Sequence, residues 1–342
     1  MKKLLGIFFL SLSLAMPAAA ADWNFYGSAR VETFITDTDT NGAAIDTKNF
    51  SQSLQGNSRI GANVKVSDDL VGHFEYGAGV NLRILYGEWD FGPGKFLVGQ
   101  TDSPLDMPLS NQVYGSDENL NHYGNVDTPR RPMLQLTFGN FKIAAVSPGT
   151  DTLSVANATT EVTIPKVEAS YTLNLNNARI IFAGGYNTYE LYDPATLTTH
   201  DVDSYILGIG GDMKFGRAYL AGNFWWGQNT GPYNFSCAAD DMPLITGTNL
   251  TDNDGLGYMI VAGLKLNDMF NFEAGYGYTQ AELDSANFSK DDVVSYYIQS
   301  TITLSPGVFF VPEVGVIDNK NDQNNNPEPE ILYYGIKWQI NF

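Results

Sequence analysis

The arginines of this sequence are few and concentrated. Five of the seven are Arg30, Arg59, Arg83, Arg130 and Arg131. The stretch between the third and fourth of these contains residues 102–130, which carry Asp102, Asp106, Asp117, Glu118 and Asp127 and nothing basic until Arg130. Basic and acidic groups facing each other across a narrow gap create a transverse field. A polar solute gains dipole and hydrogen-bond interactions there, whereas an apolar one must disturb oriented water. Nucleophilic chemistry has far less to work with. It would need a nucleophile beside a histidine base, and the histidines are His73, His122 and His200. His73 shares an inward parity with Glu75, no serine is placed near either by sequence, and the other two fall in loops. Clustered histidine ligands for a structural metal are also missing.

The elements that must position the arginines are β-strands. In residues 331–342 one parity is apolar (Tyr334, Ile336, Trp338, Ile340, Phe342) and the other small or polar (Gly335, Lys337, Gln339, Asn341). That is period two between two different solvents, and a barrel with lipid outside and water inside fits it best. Sixteen such strands can be marked between Trp23 and Phe342. Short turns such as Asp68-Asp69, Gly139-Asn140 and Asn267-Asp268 alternate with long polar loops, as expected of an antiparallel transmembrane β-barrel with short periplasmic turns and long extracellular loops. A soluble β-sandwich or propeller is the rival. The alternating turn lengths, the terminal aromatic and aromatics at strand ends (Trp23, Phe25, Phe91, Phe215, Trp225, Phe270) weigh against it.

Parity then orients the charges. Ile60, Ala62, Val64 and Val66 facing lipid turn Arg59 inward. Val80, Leu82, Ile84 and Tyr86 do the same for Arg83. Ala29, Val31 and Thr33 do so for Arg30, and Leu134, Leu136 and Phe138 for Arg131.

The ends and the composition agree with this class. Lys2-Lys3, an apolar run from Leu4 to Ala15 and Ala19-Ala20-Ala21 read as a cleaved signal peptide, residues 1–21, too short in its apolar run to span a membrane. Residues 22–342 form one domain, since a closed barrel cannot be cut without exposing edges. Without the leader the chain has 17 basic and 38 acidic residues, a net charge of -21, which argues against nucleic acid as a partner. The single cysteine, Cys237, permits no internal disulfide.

Three segments resemble the trimeric general porins of Gram-negative outer membranes: Phe25-Tyr26-Gly27, Ser58-Arg59-Ile60-Gly61 with Asp68-Asp69-Leu70, and residues 87–100. The terminal Phe342 is similar to that family's end signal, which together with Trp338 implies recognition by the barrel-assembly machinery. The resemblance implies an outer-membrane homotrimer among lipid and lipopolysaccharide. It also implies a water-filled pore for ions and small hydrophilic solutes, narrowed by residues 102–130 folding inward. It places acidic loop residues, here Asp106, Asp117 and Glu118, opposite a basic cluster of Arg30, Arg59, Arg83 and Arg131. The family's Pro-Glu-Phe-Gly turn is absent, only Val113-Tyr114-Gly115 being similar, so which carboxylates reach the constriction stays open. The brief second loop, Ala78-Gly79, departs from the one that latches a neighbouring subunit in the family.

Alternatives remain within transport. Tyr114 and Tyr123 would suit a sugar-selective channel and the arginines an organic-anion channel, while overall acidity predicts a mild cation preference at the mouth. An outer-membrane enzyme is the remaining class. No cofactor is implied. Asp37-Thr38-Asp39-Thr40-Asn41-Gly42 begins like a calcium loop, but Lys48 stands where an EF-hand needs its bidentate acid. A weak calcium site at Asp37, Asp39 and Asn41 is what that loop could still offer.

Overall fold

A computed structural model describes residues 21–40 and 46–342. The signal-peptide residues up to Ala20, and Asn41 of the calcium motif, lie outside the described residues. The chain forms an antiparallel sheet closed on itself. Its staves are β1 (Asp22–Asp39), β2 (Thr47–Leu54 and Arg59–Lys65), β3 (Leu70–Gly77), β4 (Leu82–Asp90), β5 (Lys95–Thr101), β6 (Arg131–Phe138), β7 (Phe141–Val146) and β8 (Thr159–Glu161 and Lys166–Asn174). They continue as β9 (Ala178–Asp193), β10 (Thr198–Phe215), β11 (Ala218–Gln228), β12 (Asn253–Lys265), β13 (Phe270–Leu283), β14 (Asp291–Ser305), β15 (Val308–Asp318) and β16 (Glu330–Asn341). Both parts of β2 pair along β1, and both parts of β8 along β9, so each is one interrupted stave and the described residues make a sixteen-stranded barrel. Closure comes from β16 against β1, with twelve residues of β1, Ser28 to Asp39, in register. Phe342 extends that seam: Gly27 donates its N–H to the Phe342 carbonyl at 2.7 Å and accepts from the Phe342 N–H at 3.0 Å.

Period two holds along most staves. Ile60, Leu134, Leu136, Phe138, Phe182, Leu207, Ile260, Ile298, Trp338 and Ile340 are exposed on the outer surface. Several staves exceed the roughly 9–11 residues that cross a bilayer. Strands β1 and β10 have 18 residues and β9 has 16, so one rim stands taller.

Three placements differ from the sequence reading. β1 runs on to Asp39, so Asp37 and Asp39 are strand rather than loop residues. Asp37 pairs with its cross-strand neighbour Lys48 at 3.0 Å, and no group of three or more metal-ligating acidic, histidine or cysteine side chains assembles among the described residues. In β4 the pairing shifts between Glu75–Ile84 and Tyr76–Leu82, leaving Arg83 as an extra residue. A bulge inserts one residue and reverses the parity beyond it. Ile84 and Tyr86 therefore turn inward, Tyr86 packing beside Leu97 and Met133, while Leu85 and Trp89 take the outer face. Finally, Trp225 belongs to no girdle: it is fully buried inside and Trp226 is the exposed neighbour.

The core sits within the barrel. Inward side chains of β9 to β15, among them Ile181, Ile206, Trp225, Val261 and Val311, meet Leu105, Met107, Leu109, Val113, Leu120 and Val126 of segment 102–130. That segment therefore crosses the lumen instead of capping it. Lifting it would expose these side chains at about 1.5–3 kcal/mol each, enough to hold it down.

Candidate functional site

The inward segment is pinned by hydrogen bonds from its own backbone. Asn111 donates its N–H (2.9 Å) and its Nδ2 (2.6 Å) to Glu273, and the N–H groups of Val113 and Tyr114 both go to Glu313 (2.8 and 3.0 Å). Gln112 Nε2 donates to the Tyr333 hydroxyl at 2.8 Å, and Tyr114 stacks on Tyr333 with centroids 3.9 Å apart. A loop of polar residues is thereby satisfied against acidic side chains of the opposite wall, as buried backbone groups must be.

At its tip, Gly115, Ser116 and Asp117 take left-handed backbone angles. Such angles are costly away from glycine and persist where surroundings fix them. Asn57 Nδ2 donates to the Ser116 carbonyl at 2.6 Å, and Ser116 N donates to Glu32 at 3.2 Å. The turn delivers the Asp117 carboxylate into the wall, where it pairs with Arg30 and accepts from Lys337 Nζ at 2.8 Å and Gln55 Nε2 at 3.2 Å. Asp117 is thus a latch between tip and wall, and no gap separates it from its cations.

The wall of β2 to β4 is organised by Glu75. Arg83 Nε donates to it at 2.7 Å, Arg59 lies 3.5 Å away, and the Tyr26 hydroxyl donates to its other oxygen at 2.8 Å. His73 Nε2 shares a 2.8 Å hydrogen bond with the same hydroxyl. Arg130 pairs with Asp102 at 2.6 Å where the segment begins and ends. Beside the contact of tip and wall lies a cavity of about 380 Å³, lined by Arg30, Arg59 and Lys337 of the wall and by Asn111, Asp117 and Asn119 of the segment.

The structure turns Arg30, Arg59 and Arg83 inward, Arg30 meeting Asp117 and the other two meeting Glu75. It does not bring Arg131 to them. Arg131 donates to Pro148 O at 3.3 Å and to Asn234 Oδ1 at 2.7 Å, on the opposite side of the inward segment. Asp106 sits at the neck of the segment, where burial first and the neighbouring Asp127 second push its carboxyl well above the usual range. Burial raises Asp127 as well. Glu118 pairs with His122, which raises the imidazole. Trp338 stacks on Phe310 on the outer surface. Glu273 and Glu313 were not singled out in the sequence, and Lys337, placed there on the polar parity of the last strand, was not joined to the basic cluster.

A second loop also enters the lumen. Residues 229–252 between β11 and β12 dip inward with Tyr233 at 0 % exposure, and Phe235 packs edge-on against Trp225 with centroids 4.6 Å apart. Tyr233 donates to Glu168 at 3.0 Å. Lys166 pairs with Glu168 at 3.1 Å, donates to the Tyr233 carbonyl at 3.3 Å and lies 4.2 Å from the centre of its ring. Stretches that are apolar on both parities, such as Ile180-Ile181-Phe182-Ala183 and Met259-Ile260-Val261, were the available signal. An inward apolar face needs something to cover it.

No protein-family profile matches the chain, and no curated protein matches its sequence. Solved structures do. The outer membrane channel DcaP of Acinetobacter baumannii superposes with a TM-score of 0.77 at 16 % identity, over 94 % of this chain and 97 % of that one. The anion-selective porin of Comamonas acidovorans gives 0.62 at 12 % identity, over 94 % and 100 %. OmpF of Salmonella typhi, in complex with daunomycin, gives 0.62 at 13 %, over 93 % and 97 %. At these identities the likeness establishes one thing: the chain has the sixteen-stranded barrel fold shared by Gram-negative outer-membrane porins.

Proposed function

We propose that this protein is an outer-membrane channel for passive diffusion of ions and small hydrophilic solutes, assembled as a homotrimer among lipid and lipopolysaccharide after cleavage of its leader. The observation that carries the reading is a charged cavity beside a fixed inward segment. Arg30, Arg59, Arg83 and Lys337 line or adjoin it together with Glu75 and Asp117. The similarity to porins and channels supports the same reading. His73 and His122 are taken up in hydrogen bonds to Tyr26 and Glu118.

A second reading concerns selectivity. Around the narrow part the basic groups are Arg30, Arg59, Arg83, Arg130 and Lys337, and the carboxylates paired with them are Glu75, Asp117 and Asp102. Glu32, which accepts from the tip, and Glu273, which lines the same cavity, raise the carboxylates to five against five cations. With the narrow part balanced, the overall acidity at the mouth favours a mild cation preference. Single-channel recording in planar bilayers tests both readings. Ohmic steps in threes are expected, with a reversal potential on the cation side in a salt gradient. Absence of steps overturns the channel, and an anion-side potential overturns the selectivity.

A further inference from the structure

Segment 102–130 is not alone in occupying the lumen. Residues 229–252 are seated with equal care, and their contacts reach both the wall and that segment. On the wall, the Tyr233 ring fills the space where Gly185 lacks a side chain, since a Cβ there would come within 1.8 Å of the Tyr233 hydroxyl. Below it, Lys166 and Glu168 form an ion pair with 1 % and 0 % side-chain exposure. A charged pair so enclosed is costly to dehydrate and depends on its local partners. Here they are the tyrosine carbonyl, hydroxyl and ring face, which serve the ammonium and Glu168 Oε1, while Glu168 Oε2 accepts from none of the described residues. A barrel with an ordinary water-filled lumen would not need the pair covered.

On the other side the loop joins the first inward segment. Ser236 N donates to the Asp127 carbonyl at 3.1 Å and its hydroxyl to the Asp127 carboxyl at 2.6 Å, while Ala238 N donates to the His122 carbonyl at 2.9 Å. Arg131, predicted to serve the basic cluster, instead holds Asn234. The two inward segments are therefore one continuous partition.

Resting on the channel reading, we propose that residues 229–252 are a second specificity-determining element. In this arrangement Tyr233, locked over Lys166 and Glu168, is a positioning residue that sets how much of the lumen stays open to solutes. The passage is limited by the partition as a whole and not by residues 102–130 alone.

Two variants unseat the loop by different routes. Tyr233→Ala removes the ring, and Gly185→Ala fills its seat while leaving an extended strand residue that any side chain can adopt. Three readouts are made on each: single-channel conductance, the size of the largest polyethylene glycol that lowers it, and the rate at which a charged maleimide labels Cys237, the sole cysteine. Cys237 sits in this loop, its thiol sharing a 3.2 Å contact with the Thr279 hydroxyl and pushed up by burial. Conductance and size limit are expected to rise, conductance by roughly twofold, because widening the narrowest section has the largest effect on flow. Labelling is expected to accelerate in step. If wild type conducts and a correctly folded Tyr233→Ala barrel keeps the wild-type conductance and size limit, the inference is overturned while the channel reading stands. If wild type carries no current, the channel reading itself falls. Should Gly185→Ala fail to fold, Tyr233→Ala decides alone.

Discussion

The two halves of the lumen solve opposite problems with the same kind of stave. Along β8 to β15 many inward side chains are apolar and two loop segments lie on them, so charges there are enclosed: Lys166 keeps 1 % of its side-chain surface. Along β1 to β4 the inward side chains are charged and no loop covers them fully, so Arg59 keeps 23 % and Arg83 10 %. A carboxylate organises each cluster, Glu168 in one and Glu75 in the other. What differs is water. The same ion pair is a structural commitment where water is excluded and an adjustable field where it is not.

The sharpest way to break this contrast is to remove one partner on each side. Lys166→Met leaves Glu168 charged and enclosed, and should cost about 3–5 kcal/mol, whereas Lys166→Met with Glu168→Leu should recover most of that loss. Glu75→Gln leaves guanidinium groups that water can reach, and should cost only about 1 kcal/mol while moving the reversal potential toward anions. Thermal unfolding in detergent measures the stability changes, and equal losses on the two sides would erase the distinction.

A smaller effect is expected where the two halves meet. Asp117→Asn removes the charge that ties the first inward segment to Arg30 and Lys337, at about 2 kcal/mol for charge-assisted hydrogen bonds. Current noise from a loosened tip should increase, with a shift of selectivity toward anions, and a quiet channel of unchanged selectivity would deny Asp117 its role as a latch.

The smallest effect depends on pH. Asp241, in the second loop, accepts from the Thr230 hydroxyl at 2.7 Å, and burial pushes its carboxyl up to about 7, with Asp240 and Asp291 adding to the shift. The seated loop therefore holds a proton that the unfolded segment releases near about 4. Its stabilisation is complete below that value and is lost as the pH rises through about 7. Amide exchange in residues 229–252, corrected for intrinsic rates, should show protection falling over this window, and Asp241→Asn should flatten the curve.

Much of the barrel was legible because each stave separates two environments, and alternation reports that directly. The inward direction of Arg30, Arg59 and Arg83 was found this way, whereas Asp117 was nominated with Asp106 and Glu118 and without a partner. Arg83 also marks where the method fails: its bulge adds a residue, and Ile84 and Tyr86 beyond it were assigned to the wrong face. The route of a loop leaves no periodic trace, so Asp106 and Glu118 could be nominated by charge but not positioned. Tyr233 and its loop escaped notice because parity was used to locate the outer face, without asking why the inner face of β9 to β12 was apolar too.

The seam between β1 and β16 has a kinetic consequence. Every other neighbour pairing in the barrel joins segments close along the chain, while this one joins residues near opposite ends of the described sequence. Contacts of such separation are slow to form, because the intervening chain must be ordered before they contribute. Closure is therefore the expected late step of folding. Until then β1 and β16 present unpaired edges, and this interval is when the protein is most exposed to pairing with the wrong strand.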